Sequence, residues 1–132
     1  MLELQTDRNT NATRPLEGAR ILLVEDEVII AMDLTMSLED AGATVTHARR
    51  QSTGTSLATE GDFDAAILDV NLGRSMTCEP IADALRQRGV PFLLHTGDLQ
   101  EAGELVERIG APIAQKPMAS DRLIEMLSKI LA

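Results

Sequence analysis

The chain has 132 residues, enough for one domain with its own core, and 44% of them are hydrophobic. Its formal net charge of −9 leaves no basic patch to meet nucleic-acid phosphates or an anionic membrane surface. A single cysteine, Cys78, excludes an internal disulfide and a cysteine metal cluster and points to a reducing compartment. No signal-peptide pattern opens the chain and no apolar run approaches the ~20 residues of a membrane span, so a cytoplasmic location is expected. Aromatic residues make up 2% of the chain, so the core must be built from Leu, Ile, Val, Met and Ala.

In chain order, residues 1–18 are polar and aperiodic and read as a disordered leader before a domain over 19–132. Ala19 to Val24 is a strand running into Glu25-Asp26-Glu27. Val28 to Asp40 has helical spacing, with Val28, Ala31, Met32, Thr35 and Leu38 on the expected inner face and Gly42 as the stop. Ala43 to His47 is a short strand, and Ser52 to Thr59 a helix weakened by Gly54.

Ala65-Ala66-Ile67-Leu68 then runs unbroken into Asp69, the pattern of a strand buried on both faces. A helix starts near Pro80, turns Ile81, Ala84 and Leu85 inward and stops at Gly89. Pro91 to Thr96 is the fourth strand, and Leu99, Ala102, Val106 and Ile109 mark a helix stopped by Gly110. Pro112 to Gln115 is the last strand. A closing helix from Ser120-Asp121 buries Leu123, Ile124, Leu127 and Ile130. Five strand–helix repeats at this length imply a parallel sheet with helices on both faces.

Three strand ends carry polar side chains: Glu25-Asp26, Asp69 and Thr96; Lys116 follows the fifth strand. In a sheet of order 2-1-3-4-5 the first and third strands are neighbours, so the acids converge at the switch point. Clustered carboxylates need counter-charge, which Lys116 and a hard cation such as Mg²⁺ can supply. Such a pocket suits phosphoryl transfer to a carboxylate. Taken singly, each of these residues could instead be an ordinary cap or turn residue.

The stretches Ile-Leu-Leu-Val-Glu-Asp-Glu, Ala-Ile-Leu-Asp-Val-Asn-Leu-Gly, Pro-Phe-Leu-Leu-His-Thr-Gly and Gln-Lys-Pro, in this order, resemble the receiver domain of two-component response regulators. The resemblance covers Ala19 to Ala132 and implies a flavodoxin-like (βα)5 doubly wound parallel sheet of order 2-1-3-4-5. It further implies that Asp69 is the phosphoacceptor and that Asp26 and Asp69 ligate Mg²⁺. Glu25 would act through water and Asn71 through its backbone carbonyl. Thr96 and Lys116 would contact the phosphoryl group, with a cis bond between Lys116 and Pro117. Pro91-Phe92 with Thr96-Gly97 is similar to an alphaproteobacterial subgroup marked by Phe-Ala-Thr-Gly.

Several positions depart from the family pattern. Glu25 stands for the usual first Asp, and His95 and Asp98 for the subgroup's Ala and an aromatic. Ile113 replaces an aromatic that changes rotamer in many relatives. No role is assigned to His95; His47 and the methionines read as ordinary surface and core residues.

The implied function is a single-domain response regulator that takes a phosphoryl group from a sensor histidine kinase or a histidine phosphotransferase. With no output domain after the last helix, it would signal by contact with a downstream protein target. It would be a signalling phosphoacceptor and not a turnover enzyme. A pseudo-receiver docking without phosphorylation is the alternative. A haloacid-dehalogenase-type phosphatase is disfavoured because Asp26 is followed by Glu27-Val28 and not by a second Asp two residues on.

Overall fold

The computed structural model describes residues 14–97, 99–100 and 102–132; the expected leader over residues 1–13, and Asp98, lie outside that set. Five strands, β1 (Arg20–Val24), β2 (Thr44–Ala48), β3 (Ala65–Asp69), β4 (Phe92–Thr96) and β5 (Ile113–Gln115), pair in parallel in the order β2-β1-β3-β4-β5. Between and after them run α1 (Val28–Asp40), α2 (Gln51–Glu60), α3 (Glu79–Gln87), α4 (Gly103–Ile109) and α5 (Ser120–Leu131). This is the expected flavodoxin-like arrangement, with α4 starting later than the spacing from Leu99 predicted.

The sheet separates two apolar layers. Leu22, Val24, Ala66, Leu68 and Leu94 pack with Ala58 of α2, Ile81 and Leu85 of α3 and Val106 of α4. Ile21, Leu23, Ile67 and Leu93 pack with Leu34 and Leu38 of α1 and Leu123 and Leu127 of α5. All five residues of β3 are buried, as a central strand covered on both faces requires. Register sets Asp69 beside His95, and His95 beside Ala114, which belongs to the α1/α5 layer. Asp69 and His95 therefore stand on the face covered by α1 and α5.

Three expectations need correction. The leader was expected to run to Gly18, but residues 14–18 are built into the domain. Leu16 is 1% exposed in the α1/α5 layer, and its N–H donates to the Ala41 carbonyl at 2.8 Å. The inner face of α1 needs correction in part: Ala31 and Leu38 are buried as expected and Leu34 joins them, whereas Val28 is 42% and Met32 61% exposed. Apolar residues occupy both sides of this helix, so spacing alone could not choose between them.

The third correction concerns Gly54, read as a weakness of α2. A Cβ there would lie 2.6 Å from Ile81 Cδ1 and 3.4 Å from Val24 Cγ2, so its absence is what lets α2 settle against α3 and β1. Gly54→Leu should destabilise the protein by about 2–3 kcal/mol through overpacking, read as a lower urea midpoint at unchanged slope.

Candidate functional site

The acids meet beyond the carboxyl ends of β1 and β3. Glu25 extends the ladder by one residue, its N–H donating to the Ala48 carbonyl at 3.0 Å, and alternation after Val24 sets it on the same face as Asp69. Its Oε2 accepts the Glu27 N–H at 3.1 Å, and its backbone carbonyl lies 2.8 Å from His47 Nε2. Glu25 and Asp69 are buried and Asp26 is half-buried; one carboxylate oxygen from each lies within 4.8 Å of the other two.

Lys116 enters from β5, positioned by its N–H bond to the Thr96 carbonyl at 2.8 Å. Its Nζ donates to Asp69 Oδ2 at 3.3 Å and stands 3.1 Å from Glu25 Oε1 and 3.8 Å from Glu27 Oε2. The Lys116–Pro117 bond is cis. Thr96 closes β4, buried and one residue past the register partner of Asp69. Asn71 is exposed two residues past Asp69 and bridges to Thr77. The structure thus gathers Glu25, Asp26, Asp69 and Lys116 into one pocket, with Thr96 and Asn71 on its margins.

Three carboxylates share one ammonium, and the Asp69 carboxyl shows the imbalance. Burial first, then hydrogen bonding and charge from Glu25, push its pKa up to about 8, with Lys116 only partly opposing. For Lys116, burial works against the charged form, but Asp69 and Glu25 outweigh it and hold the ammonium above its ordinary value. A divalent cation fits this donor set. It would supply the counter-charge that an ionised Asp69 needs in this buried setting, and its ligands would be the oxygens hard cations prefer.

Two histidines passed over in the sequence belong to this region. His47 ties the end of β2 to the acidic turn, and the buried His95 places Nδ1 at 4.0 Å from Glu25 Oε1. For His95 a signal existed: a polar ring inside an otherwise apolar strand, in the strand next to Asp69.

The comparisons agree with this arrangement. The response regulator receiver domain family matches residues 21–128. The crystal structure of a CheY-like receiver domain protein from Methanospirillum hungatei superposes with a TM-score of 0.77 at 26% identity, covering 86% of this chain and 93% of that one. A response regulator receiver protein from Sinorhizobium medicae gives 0.77 at 26% identity, over 88% of this chain and 96% of its own. The receiver domain of a sensor histidine kinase from Pseudomonas aeruginosa, solved with magnesium in its active-site cleft, gives 0.78 at 23% identity, covering 86% and 98%. At that identity it shows the fold alone. A search of the curated proteins finds no match. Because the family match runs from within β1 to within α5, it takes in every strand and helix of the fold, and the chain belongs to the response regulator receiver domain family.

Proposed function

We propose that the protein is a phosphorylation switch that accepts a phosphoryl group on Asp69 from a phosphohistidine of a sensor histidine kinase or histidine phosphotransferase. The observation that carries this reading is the Lys116 ammonium shared between Asp69 Oδ2 at 3.3 Å and Glu25 Oε1 at 3.1 Å. It supplies a donor that can follow developing charge on a group bound at Asp69.

In this mechanism a carboxylate oxygen of Asp69 attacks phosphorus, the phosphorus–nitrogen bond of the donor breaks, and its imidazole departs with the electron pair. The product is an acyl phosphate on Asp69. Asp69 must be ionised to attack, so the raised pKa makes counter-charge a requirement of the step. Mg²⁺ would be held by Asp26 and Asp69, by Glu25 through water and by the Asn71 carbonyl; bound there, it supplies Lewis-acid charge for the carboxylate and phosphoryl oxygens. Lys116 pairs with the phosphoryl group, and the Thr96 hydroxyl donates to one of its oxygens.

The donor must bring its phosphohistidine to a nearly closed carboxylate, so its own surface has to rest on the pocket rim. α1 begins two residues after Asp26 and exposes Ile29 by 82%, Met32 by 61% and Met36 by 63%, an apolar stripe at i, i+3 and i+7. We assign the donor to this stripe. The signal then leaves by contact with a downstream protein. Turnover of a separate substrate, nucleic-acid binding and membrane association form no part of this function, and a cytoplasmic location suits it. Among the described residues no helix is long and apolar enough to cross a membrane.

Incubation with acetyl phosphate and Mg²⁺ should add the mass of one phosphoryl group. The addition should vanish in Asp69→Ala and on chelation of the metal. Labelling that survives either would overturn the assignment, and a wild type that never labels would favour constitutive docking.

A further inference from the structure

Among the described residues only two buried side-chain polar atoms lack a hydrogen bond, and they face each other: Glu25 Oε1 and His95 Nδ1. They stand 4.0 Å apart on side chains 1% and 6% exposed. The Lys116 ammonium is 3.1 Å from Glu25 Oε1, close enough for an ion pair but not aligned as a hydrogen bond, and Asp69 competes for it. An imidazole nitrogen that bears a hydrogen can donate to a carboxylate oxygen, so the two unpartnered atoms are of complementary type. β4 is apolar up to this point, with Phe92, Leu93 and Leu94, so a buried imidazole here is costly unless its ring nitrogen finds a partner.

Once Asp69 carries a phosphoryl group, Lys116 is drawn to the new anionic oxygens. Glu25 Oε1 would then be a buried carboxylate oxygen stripped of its cation. The Glu27 N–H cannot replace the loss, because it already serves Oε2. Beside the water through which Glu25 would meet Mg²⁺, the protein donor within reach among the described residues is His95 Nδ1.

We propose that His95 is a positioning residue that takes Glu25 over from Lys116: its Nδ1–H closes on Glu25 Oε1 as the ammonium moves to the phosphoryl group. No proton is transferred; what changes is which donor holds Glu25. The inference rests on the phosphorylation of Asp69 proposed above.

The test uses the full chain with ¹⁵N-labelled histidine. After acetyl phosphate and Mg²⁺, the nitrogen spectrum should show His95 as the Nδ1–H tautomer with a slowly exchanging proton. A ring found in the Nε2–H tautomer, with Nδ1 bare, would overturn the inference.

Substitutions add an independent readout. The side-chain amide of Asn reaches the place of Nδ1, whereas that of Gln reaches the place of Nε2. His95→Leu and His95→Gln should therefore lower the steady-state phosphorylated fraction about tenfold, and His95→Asn should restore it to within about threefold of wild type. Equal labelling in all three variants would overturn the inference while leaving Asp69 phosphorylation intact. A wild type that never labels would overturn both.

Discussion

Changing Ile29 and Met32 together to glutamine should slow phosphotransfer from a phosphohistidine protein about a hundredfold, while acetyl phosphate labels Asp69 as before. Burying a large apolar side chain is worth roughly 1.5–3 kcal/mol, so losing two at one interface amounts to two or more factors of ten. Glutamine keeps the helix propensity and neutral charge of the position, so neither α1 nor the field at the acids should change. Methionine adapts its shape to a partner, which suits a face that must accept a helix or loop of another protein. The small donor needs no rim and serves as the internal control. Unchanged transfer from the protein donor would remove α1 from the docking surface. An equal loss with acetyl phosphate would place the damage in the pocket instead.

What the sequence disclosed about this molecule depended on whether a signal was local. Ala65 to Leu68 had to be a central strand, because four apolar residues in extended chain need cover on both faces; this fixed Asp69 at the ligand end of the sheet. Glu25 and Asp26 followed from topology, since strand order puts β1 beside β3; Lys116 follows the edge strand β5, with β4 between, and was legible as the counter-charge the acids need. Leu16 was missed because a lone leucine in a polar stretch has no period, and only the Ala41 carbonyl reveals what holds it. Gly54 was misjudged because helix propensity describes an isolated helix, while its value lies in the approach of Ile81. The outer face of α1 was hidden for the opposite reason: the helix is apolar on both sides, and the inner set is chosen by which residues meet β1 and α5. His95 was visible but had no meaning until register placed it beside Asp69 and its ring beside Glu25.

The metal-free protein should lose stability as pH rises from about 4 to about 8, and the cause can be assigned to Asp69. Its carboxyl titrates near 8 in the folded protein, pushed up by burial and by Glu25, against about 3.9 in an unfolded chain. Between those values the folded state holds a proton that the unfolded state has given up. Stability is therefore full below the lower value and declines as pH rises through the upper one. Because solvent reaches the pocket, the loss should be on the order of 2 kcal/mol, or roughly 10 °C in Tm.

His95 works the other way: its folded pKa lies below the ordinary 6.5, chiefly through burial, so its contribution is lost as pH falls. The two overlap near neutrality, and Asp69→Asn separates them. That variant should be more stable than wild type at pH 8, nearly equal at pH 4, and free of the decline between. Saturating Mg²⁺ should flatten the wild-type profile in the same way, because a cation among the carboxylates removes the reason for the proton. Thermal melts at pH 4, 6 and 8, in chelator and in Mg²⁺, make the comparison. An Asp69→Asn profile as steep as wild type would mean that the decline reflects repulsion spread over the chain's net charge of −9, and that the pocket acids are already balanced by Lys116.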